Sequence, residues 1–380
     1  MIPKLPDRPP NQALADSLMP DRAVKGRGAV SNRTGRYESH ERVAVADGWE
    51  GAAAPDDDTD PPSSPRTTVA IDTTRTIIAR NDSPDIPFDR SINPYRGCEH
   101  GCVYCFARPT HTYLGLSPGL DFETKLTMKP DAAALLQKEL RSPKYRCDVM
   151  AMGTNTDPYQ PVERQHRVTR QILEVLSAFN HPVSIVTKSA LVTRDIDILS
   201  DMARRNLAWV ALSVTTLDRE LARVMEPRAS TPARRLKAIA ELNSAGVPVG
   251  VMNAPIIPAL NDMEMERVLA AAAAAGARSA GHVLVRLPLE IKGLFEEWLA
   301  AHFPDKAKHV LDLIRETRGG KPYQNEFGLR MKGSGPYAQL IHQRFKSACR
   351  KLGLNKAERG LDTSKFRPPP QAGDQLALGL

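Results

Sequence analysis

The stretch SINPYRGCEHGCVYCFARPTH, residues 91–111, starts as a short apolar strand, breaks at Asn-Pro, and then places Cys98, Cys102 and Cys105 in the spacing Cys-x3-Cys-x2-Cys. Three thiolates on one short loop can converge on three corners of a cubane iron–sulfur cluster and leave the fourth iron without a protein ligand. Thiolates are soft donors that also suit zinc, so a zinc site completed by His100 or His111 is the alternative for this loop. Structural zinc normally takes four ligands in two pairs, and no second pair is present: Cys147 stands alone before a strand, and Cys349 lies in a C-terminal helical stretch. Five cysteines are an odd number, which argues against a secreted disulfide framework and implies a reducing compartment.

Working outward, short β-branched runs alternate with amphipathic stretches. The candidate strands are 149–152, 183–186, 209–214, 247–253 and 283–287, with 91–95 as the strand before the cysteines. Between them lie candidate helices at 131–140, 168–179, 195–205, 232–245 and 263–275. Thr231 before Pro232 reads as an N-cap with proline at N1, and Asn261 with Asp262 can cap the alanine-rich helix. Repeated strand–helix–strand units predict a parallel sheet. Six such units suit an α/β fold of partial (β/α)6 TIM-type barrel form, and a doubly wound open sheet is the alternative. The segments TTVAID (67–72) and TRTIIA (74–79) are two further candidate strands ahead of the cysteine loop.

The ends of the chain differ in composition. Residues 1–66 are rich in Pro, Asp, Arg, Gly and Ser without sustained apolar periodicity, and are expected to form a disordered tail. Within it, KGRGAVSNRTGRYE (25–38) is basic and glycine-rich, suited either to a solvated tail or to contact with phosphate. The catalytic core is expected at 67–290 with its cluster loop at 93–111, a helical basic extension at 291–355, and a flexible tail at 356–380. A net charge of +8 and a pI near 9.2 suit a polyanionic partner. No apolar run reaches the length of about 18 residues that a membrane span needs, and the N-terminus has no signal-peptide core, so a soluble cytoplasmic protein is expected.

The cysteine spacing, its place after the first barrel strand, and Tyr104 before the third cysteine resemble the radical S-adenosylmethionine superfamily. That resemblance implies a 4Fe-4S cluster on Cys98, Cys102 and Cys105, with S-adenosylmethionine chelating the open iron. It further implies reductive cleavage to methionine and a 5′-deoxyadenosyl radical that abstracts hydrogen from a substrate, with an electron donor such as flavodoxin or ferredoxin. Where the superfamily carries a Gly-Gly-Glu type motif, this chain reads GTNTDPYQPVE (153–163). Gly153, Thr154, Asn155, Thr156 and Asp157 put small residues and acceptors at a strand's C-terminal end, and Thr156 and Asp157 are the candidates for the cofactor's ammonium, with an Asx turn as the alternative. Lys188 can neutralise the cofactor carboxylate, and Ser213 ends the next strand.

The order VTKSAL, LSVTT, MEPRASTPARRLKAI, VGVMNAPIIP is similar to the branch containing spore photoproduct lyase, in which corresponding lysine and serine positions bind S-adenosylmethionine. That lyase uses an extra cysteine on its second strand, where this chain reads MAMGTNTD, so the resemblance implies a sister group and not thymine-dimer repair. A macromolecular substrate is expected, damaged nucleic acid first, and a protein or peptide as the alternative. A non-enzymatic nucleic-acid or clamp-binding protein with a structural cluster is the reading outside enzymology. The terminal QLALGL resembles the peptide that docks bacterial repair proteins to the DNA sliding clamp, through Gln375, Leu376, Leu378 and Leu380. Arg330, Lys332, Arg344, Lys346, Arg350 and Lys351 can form a basic face, or simply a solvated helix surface.

Overall fold

Parallel strands that follow one another in sequence must each be joined by a crossover, and here the crossovers are the amphipathic helices. In the computed structural model, which describes residues 23–38, 65–356 and 360–370, the chain first forms β1 (Thr68–Ile71), β2 (Ile78–Arg80), β3 (Arg90–Ile92), β4 (Tyr95–Arg96) and β5 (Lys125–Met128). It continues with β6 (Met150–Met152), β7 (Val183–Thr187), β8 (Ala208–Ser213), β9 (Val249–Ile256) and β10 (Ser279–Leu284). β3 and β6 to β10 stand side by side in sequence order, each neighbour parallel, with β2 antiparallel on the outside of β3. A doubly wound sheet reverses its strand order at a switch point. No reversal occurs, so the partial-barrel arrangement holds and the doubly wound alternative falls. Among the described residues, no ladder joins β10 to β2. β1, β5 and β4 make a separate small sheet.

The crossover helices are α1 (Ala132–Leu140), α2 (Val168–Ala178), α3 (Ile196–Arg204), α4 (Arg219–Met225), α5 (Pro232–Ser244) and α6 (Met265–Ala274). Their apolar stripes, including Ile172, Leu199, Ile239 and Val268, pack on one face of the sheet, on Val183, Ile185, Val210, Leu212 and Val251. Each such side chain contributes about 1.5–3 kcal/mol by leaving water. Side chains alternate across a strand, so the other face carries a different set. Val186, Ala211, Gly250 and Ser279 form one row across four strands, and Ser213, Met252 and Gly281 form the next row toward the C-terminal ends. Small residues dominate these rows, and Ser184, Val186, Met252 and Ala254 stay half-buried while their helix-facing neighbours are fully buried. The face opposite the helices is therefore half-buried along β7, β9 and β10 and closed at β8, where Ala211 and Ser213 are buried.

Three sequence expectations change. The strand expected at 283–287 runs instead over Ser279–Leu284, because its pairing with β9 is set by Ser-Ala-Gly-His, residues with no β-branched signature. Asn261 does not cap α6: its side chain bonds Ile257 N, Thr215 O and Pro255 O, while a 3-10 turn at Asp262–Glu264 precedes the helix. Within the expected disordered tail, residues 27–31 are buried. The helical region α7 (Ile291–His302), α8 (Pro304–Glu316) and α9 (Gly335–Leu352) is present, and Ala338, Ile341 and Phe345 of α9 share the main core.

Part of the expected flexible tail is also packed. Arg367 N bonds Phe179 O, Asp362 N bonds Asn206 O, and the Phe366 ring lies against Tyr145, Phe179 and His181. Gln375, Leu376, Leu378 and Leu380 lie outside the described residues. No helix among the described residues is long and apolar enough to cross a membrane.

His181, beneath that tail, faces Tyr145 Oη at 2.7 Å through Nε2 and Pro182 O at 2.9 Å through Nδ1. Burial pushes its pKa down from 6.5 to about 4. The folded state thus keeps a neutral imidazole while the unfolded chain takes up a proton below pH 6.5. Stability from this residue is complete above pH 6.5 and is lost as pH falls toward 4, by up to about 3 kcal/mol. The urea midpoint should fall between pH 7 and pH 5, and His181→Gln should flatten that fall; an unchanged slope in the variant would refute the assignment.

Candidate functional site

The cluster loop leaves β3, crosses β4, and turns sharply at Gly97 and Gly101. Both have positive φ, 75° and 65°, and a Cβ on Gly97 would come within 2.6 Å of Leu126 and 2.9 Å of Phe122 O. Cys98 N bonds Phe122 O at 2.9 Å, and successive turns bond Gly101 N to Cys98 O, Cys105 N to Cys102 O and Arg108 N to Cys105 O. Cys98 and Cys102 are buried, Cys105 is more open, and all three are free thiols. Burial pushes Cys98 up, helped by the Asp157 carboxylate and by the other two cysteines; Cys102 is pushed up to about 12, again first by burial.

Among the described residues, no three His, Cys, Asp or Glu side chains meet closely enough to hold one metal ion. That argues against the zinc alternative. It does not count against a cubane, in which each cysteine binds a different iron and the sulfurs stand apart. Buried thiols that resist ionisation on their own fit a polycationic group that supplies the missing positive charge.

One buried arginine ties this loop together. Arg108, fully buried, donates to Cys102 O, Gly101 O, Pro118 O and Gly119 O and to Glu123 Oε1 at 2.5 Å. Glu123 also accepts the backbone N–H groups of Gly28 and Ala29 at 3.0 and 2.8 Å. The basic segment that sequence left between tail and phosphate contact is therefore a strap across the loop. A Cβ on Gly28 would lie 1.7 Å from Gly101 O, so only glycine allows this approach.

The strand ends complete the site. Asn93 Oδ1 accepts from Asn155 N, Thr156 N and the Thr154 hydroxyl, and Gly153 holds φ 88° with its Cα against Val186 O. The Thr156 hydroxyl donates to Tyr95 O. Asp157 accepts from Tyr159 N, the Thr187 hydroxyl and Lys188 N, and faces His100 Nδ1 at 3.3 Å. These partners occupy all four acceptor directions of its carboxylate. Asp157 thus fastens strand ends and closes an Asx turn onto Tyr159 N, while the Thr156 hydroxyl spends its proton on Tyr95 O and keeps its acceptor lone pairs.

Lys188 is half-buried just past the end of β7, Ser213 is buried at the end of β8, and the Lys188 ammonium sits 5.7 Å from the centre of the Tyr104 ring. Tyr104 donates to Glu226, which also accepts the Thr215 hydroxyl at 2.9 Å and pairs with the buried Arg235. Burial opposes the charge on Glu226, yet Arg235 and Lys188 outweigh it and hold its pKa low. Arg235 also donates to Ser213 O. Glu226, Arg235, Arg108 and Glu123 were not anticipated from sequence; a glutamate before proline in MEPR and an arginine on an amphipathic helix give no signal of burial. Cys147 precedes the N-terminal end of β6, and Cys349, on α9, is buried in the core.

A family model described as the Radical SAM superfamily matches residues 92–272. An uncharacterized protein of Mycobacterium tuberculosis is 40% identical over 232 residues, 60% of this chain and 68% of that protein. An uncharacterized protein of Methanocaldococcus jannaschii is 28% identical over 173 residues, 46% of this chain and 62% of that protein. Spore photoproduct lyase in complex with a dinucleoside spore photoproduct superposes with a TM-score of 0.55 at 18% identity, covering 75% of this chain and 80% of that one, a likeness of fold.

Proposed function

Because this chain belongs to the radical S-adenosylmethionine superfamily, an enzyme family that uses a 4Fe-4S cluster and S-adenosylmethionine, we propose that Cys98, Cys102 and Cys105 hold the cluster and that the substrate is damaged nucleic acid. The observation that carries the reading is three free thiols, two buried and one half-buried, on a single loop held by successive turns, with the Lys188 ammonium over the Tyr104 ring of the same loop. When bound, the two cofactors supply one-electron cleavage of the sulfonium, methionine, and a 5′-deoxyadenosyl radical.

The chain's own residues bind, orient and shield. Lys188 supplies a cation for the cofactor carboxylate, and Glu226 holds Tyr104 against it. Gly250 and Gly281 admit the close packing of Trp209, Ser279 and Met252 on this face, while the strap at residues 27–31 is fastened to the loop through Glu123. The core and cluster loop at 67–290 and 93–111 form the catalytic unit of this proposal, served by an external one-electron donor of flavodoxin or ferredoxin type. Docking of the peptide Gln375 to Leu380 on a sliding clamp belongs to the same proposal and would bring the enzyme to DNA.

A nucleic-acid substrate is supported by the net charge of +8 and by Lys332, Lys346, Arg350 and Lys351, which form no ion pairs among the described residues. Arg330 and Arg344 of the expected basic face are instead neutralised by Asp85 and by Glu266 with Asp262. The lyase of similar fold has a structure complexed with a dinucleoside spore photoproduct, but the second-strand position here is Met150-Ala151-Met152, without cysteine, so its reaction is not carried over.

The test is anaerobic reconstitution, reduction, and quantitation of 5′-deoxyadenosine. Formation is expected with S-adenosylmethionine alone and should rise at least about tenfold with irradiated or alkylated DNA, a difference of about 1.4 kcal/mol in the barrier. No 5′-deoxyadenosine would remove the enzyme reading. Stimulation by a peptide mixture but not by DNA would replace the substrate class with protein.

A further inference from the structure

Arg286 follows the last strand of the sheet, and its guanidinium lies 5.2 Å from the centre of the Phe106 ring, the residue directly after Cys105. The cluster loop, which begins beside the first parallel strand, thus reaches the end of the last one. Arg286 donates to Tyr323 Oη at 3.3 Å and points toward the Met331 sulfur at 3.6 Å, and its buried Nε has no hydrogen-bond partner. Behind it, Arg318 is 1% exposed and spends its guanidinium on the carbonyls of Leu284, Val285, Leu329 and Arg330. Burial, and then the charge of Arg286, push the Arg318 pKa down to about 10. Among the described residues, neither arginine forms an ion pair.

Two guanidiniums side by side without a carboxylate leave positive charge uncompensated, and an anion arriving from outside would offset it. The flanking aromatic narrows the choice of anion. Phe106 is 46% exposed directly after a candidate cluster ligand, so its ring is open to a partner from solvent. A guanidinium stacked on a phenyl ring makes a platform on which a third flat π-system can lie. A carboxylate side chain of a peptide would satisfy the charge alone. A nucleotide offers both parts, a phosphate for Arg286 and a base for the ring.

We propose that Phe106 and Arg286, backed by Arg318 and Tyr323, form a nucleotide subsite that stacks a base of single-stranded or splayed-out nucleic acid beside the third cysteine while Arg286 pairs with its phosphate. The subsite rests on the nucleic-acid reading of the preceding subsection and adds to it the residues and the contact. It faces the same mouth as Cys105, so the nucleotide it holds, or its neighbour, lies next to the reacting centre.

The test is fluorescence anisotropy of the reconstituted full chain with a short fluorescein-labelled oligodeoxythymidylate over a range of salt concentrations. Arg286→Met should weaken binding about tenfold and lower the salt slope by about one. Phe106→Leu, a change at an exposed ring, should weaken binding about fivefold or more with the slope unchanged, since stacking carries no counterion release. Arg286→Lys should recover the slope but not the full affinity. Lys308→Met, on the 91% exposed side chain of α8, is the control for diffuse charge and should stay within about twofold. Equal losses for Arg286→Met and Lys308→Met, or no loss for Phe106→Leu, would overturn the subsite while the nucleic-acid reading stands. Absence of binding by the unaltered chain would overturn both.

Discussion

Arg108→Met should lower the stability of the fold by about 3–5 kcal/mol and leave a protein that no longer retains iron after anaerobic reconstitution. The guanidinium is fully enclosed and donates to four carbonyls as well as to Glu123. Methionine fills much of the space but donates nothing. Glu123 then keeps a buried charge held by the amides of Gly28 and Ala29 and by the neighbouring Arg27 guanidinium, and the carbonyls of Gly101 and Cys102 lose the group that sets their direction. These two carbonyls belong to the segment between the first and third cysteines, so the sulfurs lose their fixed spacing together with the loop.

A purely structural role would lower the unfolding midpoint and spare iron content in the fraction that remains folded. The measurement is therefore iron per folded protein, with the electron paramagnetic resonance signal of the reduced cluster, beside urea denaturation. Glu123→Gln separates the components: it keeps an acceptor for one strap amide and removes the charge, so its loss should be smaller than that of Arg108→Met. Iron content equal to the unaltered chain in both variants would reduce the Arg108–Glu123 pair to a fold element.

The cysteine loop and the barrel were legible because each has a local sequence signal. Cys98, Cys102 and Cys105 announce themselves by spacing, and the helices α1, α2, α3 and α5 by apolar periodicity that agrees with the observed limits within a residue or two. The strap at residues 27–31 has no such signal, since it is held by backbone N–H groups on a carboxylate 94 and 95 positions away and by the absence of a side chain at Gly28. Periodicity cannot report a segment that packs through its main chain. Strand β5, reading Lys-Leu-Thr-Met, was missed for a related reason: it is short and pairs with β1 and β4 outside the main sheet. The same limit applied at the site. Asp157 was identified as a functional acid by type and position, but whether its oxygens are open or filled is decided by Thr187, Lys188 and His100, which come from other segments.

Arg235→Met is expected to cost about 3–5 kcal/mol, because it removes the guanidinium paired with the buried Glu226 carboxylate and leaves only the more distant Lys188 to offset that charge. The double variant Glu226→Gln with Arg235→Met should regain most of that loss. A glutamine amide oxygen can still accept from Tyr104 and Thr215, and methionine restores apolar volume where the guanidinium lay, so neither charge is left alone. Stability and cofactor binding should then part company. Glu226 is the carboxylate that balances Lys188 and anchors the Tyr104 ring facing it, and removing its charge frees the lysine to move away from the site. The double variant should therefore unfold near the urea midpoint of the unaltered chain, yet bind S-adenosylmethionine about tenfold more weakly in calorimetry on the reconstituted protein, a loss of about 1.4 kcal/mol. A double variant as unstable as Arg235→Met would mean that the pair cannot be replaced by packing. One that is stable and binds the cofactor as tightly as before would confine Glu226 and Arg235 to the fold, and Lys188 would have to be positioned by Tyr104 alone.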